Sequence, residues 1–121
     1  MKIAIYFLFL FPMWVLADTT TYVCDYTSWS DQEGSHKVKK KFELTFLVDR
    51  AANKSYLLGN VGSEEVKLLE SRDQLAFLEV TDSGNLMTTS IDSSLNTVHS
   101  RNTVIFGALT PSQYYGKCEI K

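Results

Sequence analysis

The sequence predicts an all-β fold, a small antiparallel β-barrel of about eight strands, from three observations. Polar and apolar residues alternate with a period of two through much of the chain. The polar turns between these segments are too short to hold the crossover helices that a parallel sheet needs. Cys24 and Cys118 lie near opposite ends of the chain, so a disulfide between them would join the first strand to the last. Such a bond suits a closed barrel, and the alternative is a two-sheet β-sandwich.

The first 17 residues have the three parts of a secretory signal peptide. Lys2 supplies a positive charge, residues 3–16 are apolar, and Ala17 stands where a signal peptidase needs a small residue. The apolar stretch is shorter than the roughly 20 residues that span hydrocarbon, and it contains Pro12. We therefore expect cleavage after Ala17, a single domain over residues 18–121 and no integral membrane span in the mature chain.

The charge and the cysteines of the mature chain limit the classes of partner and ligand. Residues 1–17 contain one of the 12 basic residues and none of the 14 acidic ones, which leaves 11 basic residues against 14 acidic ones. This acidic balance argues against nucleic acid as the partner, because phosphate binding needs a surplus of Lys and Arg. In an oxidising compartment the even pair of cysteines predicts a Cys24–Cys118 disulfide. Two sulfurs, with His36 and His99 distant in sequence, make a poor zinc site, so we expect no metal and no cofactor.

The alternation places the first strands in order along the mature chain. Residues 20–29 form the first strand, and residues 31–35 (DQEGS) a turn or loop. Residues 39–48 form the clearest strand, with four apolar side chains on one face and Lys, Glu and Thr on the other. The polar residues 49–54 suit a turn, and a short strand follows at residues 55–58.

The segment 63–80 is ambiguous, because its residues are good helix formers and a helix over 64–72 is an alternative. The β character of the neighbouring segments favours two strands, at residues 65–70 and 74–80. The turn Asp82-Ser83-Gly84-Asn85 then starts a hairpin, since Gly and Asn tolerate a positive φ. The remaining strands are predicted at residues 86–92, 97–101, 103–106 and 114–120, with a loop at residues 107–111.

The candidate binding residues are polar or aromatic side chains within or beside these strands. His99 and Arg101 belong to the most polar cluster of a predicted strand, where His99 could act as an acid or base and Arg101 could hold an anion. The alternative is a solvated strand face, or a histidine hydrogen-bonded to backbone. Tyr114 and Tyr115 offer ring area plus hydroxyls for recognition, although one of two adjacent rings could face the core.

Two charged runs have simpler structural interpretations. The basic run at Lys37 and residues 39–41 could touch an anionic surface, but lysines also protect a strand edge from pairing with other molecules. Glu64 and Glu65 are adjacent on a strand and point to opposite faces, so they cannot flank one substrate atom. No G-x-S-x-G nucleophile elbow is present, and we expect no catalytic activity.

The C-terminal third resembles a group of small exported bacterial proteins of unknown function. The resemblance rests on HSR-x-T at residues 99–103 and PSQYYG-x-C at residues 111–118, and it covers roughly residues 75–119. It implies a bacterial protein that is periplasmic or secreted, and it implies no activity.

The chain is also similar to the membrane-bound inhibitors of C-type lysozyme. Residues 22–25 (Tyr-Val-Cys-Asp) and Cys118 match the frame of that family, which implies a small periplasmic β-barrel. Ser83 and Gly84 could stand where the inhibitory Ser-Gly loop of the family lies. The Arg-Tyr that should follow is replaced here by residues 86–87 (Leu-Met), and the later tryptophan of the family is missing.

These observations favour an exported binding or inhibitor module of the bacterial envelope without catalytic activity. Its loops at residues 31–35, 82–85 and 107–111 would recognise an envelope protein or a small ligand, since loops on rigid sheets commonly do so. The alternative is a carrier of a small hydrophobic ligand, of lipocalin-like type, inside the barrel. A third hypothesis is an enzyme that acts through His99, Ser100 and Arg101.

Overall fold

The computed structural model describes residues 18–59 and 62–121 as a closed barrel of eight antiparallel strands. Each strand pairs with its neighbour in sequence, and the last strand pairs with the first. The predicted fold class is confirmed, and the predicted signal peptide at residues 1–17 lies outside the described residues. The strands are β1 (Thr19–Asp31), β2 (Gly34–Asp49), β3 (Lys54–Gly59), β4 (Gly62–Glu70), β5 (Gln74–Val80), β6 (Leu86–Asp92), β7 (Asn96–Ile105) and β8 (Ala108–Ile120).

Alternate residues of every strand fill the barrel interior. The core is formed by nine buried apolar residues: Tyr22, Cys24, Tyr26, Phe46, Val48, Val66, Phe77, Ile91 and Cys118. Its largest side chains have almost no contact with solvent, and Phe46 stacks on Phe77 with ring centroids 4.3 Å apart. The period-two pattern of the sequence thus corresponds directly to the inner and outer faces of one curved sheet.

A disulfide joins Cys24 to Cys118, as the sequence predicts. The two residues are directly opposite each other in the pairing of β1 with β8. Close to this bond Gly116 lies opposite Tyr26, and a Cβ atom at Gly116 would collide with the backbone carbonyl of Asp25. The disulfide therefore lies at the seam that closes the barrel, where the two terminal strands approach closely.

The barrel has two ends that differ in their turns. We call the upper end the one that carries the turns at residues 32–33, 81–85 and 106–107. The lower end carries the turns at residues 50–53, 71–73 and 93–95. All three recognition loops that the sequence suggests lie at the upper end. This is also the end at which β7 and β8 extend beyond the strands beside them.

The predicted strands agree with the structure in the middle of the chain. Several of them end too early near the upper end of the barrel. The segment 63–80 forms two strands, β4 and β5, and β6 has the predicted bounds. Much of residues 31–35 is strand, because β1 and β2 pair up to Asp31 opposite Gly34. The predicted strands 97–101 and 103–106 are one strand, β7, and the predicted loop 107–111 is mostly the start of β8. Pro111 is tolerated there because β8 has no neighbour on its β1 side at that height.

Over the two described ranges, the structure contains no helix that is long and apolar enough to cross a membrane.

Candidate functional site

A hairpin stands free of the barrel at the upper end. The pairing of β6 with β7 ends at Leu86 opposite Asn102, and the pairing of β1 with β8 ends at Ser30 opposite Gln113. Residues 103–110 therefore pair only with each other. The first five residues of β8 extend past β1 by roughly 16 Å of strand. We call residues 103–110 the apolar hairpin.

The side chains of the apolar hairpin are exposed and uncharged. Val104, Ile105 and Leu109 are each more than half exposed, and Phe106 at the turn is fully exposed. No charged side chain occurs from residue 102 to residue 116. Phe106 has a φ of 50°, a backbone conformation in which Gly or Asn is the usual residue. Neither burial nor backbone preference accounts for a phenylalanine at this position.

The neighbouring turn extends the apolar surface of the hairpin. Val80 and Leu86, an exposed cross-strand pair of β5 and β6, border the turn at residues 81–85. Within that turn the Asn85 side-chain oxygen accepts a hydrogen bond from the Val104 backbone N–H at 3.1 Å. This bond ties the base of the apolar hairpin to the barrel and sets its direction.

The second feature of the upper end is a cleft centred on Arg101. Thr97 and His99 of β7 are buried, and alternation places Arg101 on the same inner face, nearer the upper end. The guanidinium carbon of Arg101 lies 5.0 Å from the ring centroid of Phe42 and 5.0 Å from that of Tyr114. Both rings therefore hold the cation through cation–π attraction.

His99 fixes the other side of Arg101. The Arg101 Nε–H donates to His99 Nε2 at 3.2 Å, so Nε2 must be the unprotonated nitrogen of the ring. The proton then lies on Nδ1, which donates to the Thr89 hydroxyl at 2.8 Å. Burial, and then the Arg101 charge, lower the pKa of His99 to about 4. His99 is thus a neutral, buried acceptor that positions Arg101.

Aromatic rings and lysines complete the cleft. Trp29 stacks on His36 with centroids 4.3 Å apart and on Tyr114 at 5.8 Å. His36 is held by Asp31, whose carboxylate lies 3.0 Å from Nε2. The open cleft between these rings and β2 has a volume of about 450 Å³. Its cationic lining consists of Arg101 and three lysines, Lys37, Lys39 and Lys40.

Two carboxyl groups lie at the upper end, and that of Glu79 is close enough to Arg101 to be affected by its charge. The pairing of β4 with β5 ends at Lys67 opposite Leu78, so Glu64 and Glu79 lie beyond the last pair. Burial, and then the nearby Glu64 carboxyl, raise the pKa of Glu79 to about 7, against the lowering effect of the Arg101 charge. Glu65 faces outward and pairs with Lys54 at 3.9 Å, which confirms that Glu64 and Glu65 point to opposite faces.

The structure brings together three of the six residues that the sequence suggests for binding. Arg101 and Tyr114 line the cleft, buried His99 holds Arg101 from beneath, and Tyr114 packs against the core. Ser83 bonds within its own turn, to Thr81 and Asn85, and its neighbour Gly84 provides the positive φ of that turn.

Tyr115 lies outside the cleft. Its hydroxyl donates to the Gln113 side-chain oxygen at 3.0 Å and contacts the Ser30 hydroxyl at 2.9 Å.

The sequence alone does not suggest Phe42, Trp29, Glu79 or Phe106 as residues of a functional site. The inward position of Glu79 follows from the alternation that buries Phe77, and this signal is present in the sequence. The approach of Phe42 in β2 to Arg101 in β7 depends on the closure of the barrel, which places only β8 and β1 between these two strands.

In the part of the chain that the structure describes, no group of three or more His, Cys, Asp or Glu side chains could hold a metal ion. Comparison with protein-family models, with characterised proteins and with solved structures finds no match to this chain.

Proposed function

We propose that the protein is an exported, non-catalytic binding or inhibitor module of the bacterial envelope, periplasmic or secreted, that inserts its apolar hairpin into a partner protein. The observation that carries this proposal is the full exposure of Phe106 at the tip of an uncharged hairpin. Contiguous exposed apolar side chains on a small protein typically mark an interaction site.

The geometry of the hairpin supports insertion into a pocket. Val104 and Leu109 form a cross-strand pair, and so do Ile105 and Ala108, so that apolar side chains occupy both faces of the hairpin. A flat partner surface would cover only one face. A cleft or pocket would cover both faces and the Phe106 ring, burying far more apolar area.

The disulfide supports export, because such bonds persist in oxidising compartments and are rare in the cytosol. The state of His99 supports a non-catalytic role. Both of its ring nitrogens are used by protein partners, and the residue is 3% exposed, so it offers a substrate neither an acid nor a base.

The packing of the interior favours this module over the carrier of a hydrophobic ligand. Tyr26, Phe46 and Phe77 fill the middle of the barrel and are at most 2% exposed. An eight-stranded barrel can be filled by its own side chains or can hold one small ligand. These large buried rings support the filled type.

Photo-crosslinking in the native envelope tests the proposal. A photoreactive phenylalanine analogue at position 106 should form a discrete adduct with one envelope protein. The same analogue at position 69 is the control, because Leu69 is also an exposed apolar residue but lies near the lower end. Absence of an adduct at position 106, or the same adducts at both positions, would contradict the proposal.

A substitution at the tip then tests the energetic role of Phe106. Phe106→Asn should weaken the affinity for the crosslinked partner at least tenfold, because a buried aromatic anchor is removed. It should not lower the urea midpoint of unfolding, since the ring is fully exposed and Asn tolerates the φ of 50°. An unchanged affinity would show that the hairpin is not the binding element.

A further inference from the structure

We infer that the cleft around Arg101 is an anion-binding site for a small molecule that carries a carboxylate or phosphate group beside an apolar or aromatic part. The residues that build this site are not part of the apolar hairpin. The inference therefore stands or falls independently of the partner protein proposed above.

Across the described ranges, the cations of the cleft have no ion pair, and Glu79 acts on the Arg101 charge only from a longer distance. Arg101, Lys37, Lys39 and Lys40 line it, and within the described residues none of them has a carboxylate within 4.0 Å. By contrast, Lys41, Arg50, Lys54 and Lys121 each have an ion pair at this distance, and none of them lines the cleft. A chain with more acidic than basic residues thus concentrates four unpaired cations around one concave surface. Such a surface attracts anions.

Arg101 is held in place by its protein partners, with donors left over. A guanidinium has five N–H donors, and His99 uses the one on Nε. In the residues that the structure describes, the terminal nitrogens of Arg101 have no hydrogen-bond partner, so their donors remain for a bidentate carboxylate or phosphate. The rings of Phe42 and Tyr114 restrict the side chain before a ligand arrives, which reduces the entropy lost on binding.

His99 orients the Arg101 guanidinium, because it binds Nε and leaves the terminal nitrogens for the cleft. As a neutral acceptor it binds the Nε–H without offering a negative charge that would compete with the ligand. Its own orientation is fixed by the Thr89 hydroxyl, and its burial prevents it from turning toward solvent. The chain Thr89–His99–Arg101 is thus a support for a cation that faces an open cleft.

The size and the walls of the cleft suit a small molecule with an apolar part. A volume of about 450 Å³ lies within the range of small-molecule sites, roughly 300–1,000 Å³. Trp29, Phe42 and Tyr114 form much of the wall beside the cations. A ligand with an aromatic or apolar part would contact these rings while its anionic group reaches Arg101.

NMR titration of the mature, disulfide-bonded protein tests the inference. The probes are phenyl phosphate and phenylacetate, with benzyl alcohol as the neutral control, and the main reporter is the indole N–H of Trp29. Trp29 is well suited because the other of the two tryptophans in the sequence, Trp14, lies in the predicted signal peptide. Saturable shifts with both anions, and none with benzyl alcohol, are expected. Equal shifts with benzyl alcohol would reduce the site to an apolar contact and overturn the inference.

Three variants complete the test. Arg101→Gln should weaken the binding of phenyl phosphate at least tenfold, because the charge and the hydrogen bonds of the guanidinium are lost. Lys67→Gln removes the same charge from the outer surface of β4 and should leave the affinity within about twofold of the original.

If Arg101→Gln does not fold, the triple variant Lys37→Gln, Lys39→Gln, Lys40→Gln replaces it. These lysines are exposed on β2, and their removal should weaken binding several-fold and reduce its salt dependence. Full binding by Arg101→Gln or by the triple variant, or an equal loss in Lys67→Gln, would refute the anion site.

Discussion

The protonation state of His99 affects both the geometry of the cleft and the stability of the fold in acid. Its pKa is about 4 in the folded protein, against about 6.5 in an unfolded chain. The folded state therefore favours the neutral ring, and its stabilising contribution is present above pH 6.5 and is lost as the pH falls to 4. A difference of this size corresponds to about 2–4 kcal/mol.

We accordingly expect the original protein to lose stability relative to His99→Gln as the pH falls from 6.5 to 4, because Gln has no proton to gain in that range. The comparison is made between the two proteins at each pH, since other groups also contribute to the pH dependence of each. Urea titrations at several pH values measure this, and equal pH dependence of the original and His99→Gln would contradict the assignment.

Glu79 has the opposite effect on the pH dependence of stability. Its pKa rises from the ordinary 4.5 to about 7 in the folded protein, so folding favours the protonated form. The stabilising contribution is present below pH 4.5 and is lost as the pH rises through 7. Glu79→Gln should therefore gain stability relative to the original protein when the pH is raised from 5 to 8, because only the original protein loses this contribution. Glu65→Gln, on the outer face, should behave as the original does, and urea midpoints at the two pH values decide between them.

For individual residues, the sequence indicates which side chains are candidates for a site better than it indicates which side chains they contact. Histidine, arginine and tyrosine stand out as candidates because they are polar or amphipathic within a strand, and His99, Arg101 and Tyr114 do meet. Their contact with Phe42 follows only from the order and register of β7, β8, β1 and β2. Ser83 and Gly84 are suggested by a resemblance in sequence and form a turn that bonds within itself.

At the scale of elements, the seam between β1 and β8 depends on a glycine. A Cβ at Gly116 would overlap the Asp25 carbonyl, which belongs to the backbone and cannot turn away. Gly116→Ala should therefore destabilise the protein by about 1–3 kcal/mol or more. The matched control is Gly59→Ala in β3, where the nearest atom would be the Gly62 carbonyl oxygen at 3.6 Å, an ordinary contact. Urea unfolding of the two variants compares them, and similar midpoints would contradict the close approach.

The strands themselves show where sequence patterns carry information. β6 and the division of residues 63–80 into two strands follow from alternation and a strong turn signal. Residues 30–31 of β1 and 34–37 of β2 are polar or glycine, so alternation does not reveal these parts of the strands. The turn of the apolar hairpin has Phe106 at a position where Gly or Asn is usual, so the sequence does not indicate a tight turn that begins there.

For the whole molecule, closure of the barrel has both a covalent and a noncovalent component. The pairing of β1 with β8 runs from Tyr22 opposite Ile120 to Ser30 opposite Gln113, so hydrogen bonds would hold the terminal strands together even without sulfur. The disulfide acts mainly on the unfolded chain, since it joins residues separated by 94 positions. Closing a loop of about 95 residues is expected to stabilise the fold by about 4–5 kcal/mol.

Replacing both cysteines by alanine should therefore leave a barrel with native strand content and a free energy of unfolding lower by about 4–5 kcal/mol. This loss is comparable to the entire stability of many small domains, about 5–15 kcal/mol. Urea unfolding of the double variant, with circular dichroism at low denaturant, measures both quantities. Protein taken from its own cells should react with a thiol reagent at neither cysteine until it is reduced. Because a cytosolic location would leave the sulfurs reduced and the barrel near its limit of stability, two freely reactive thiols would contradict both the proposed export and the role of the seam.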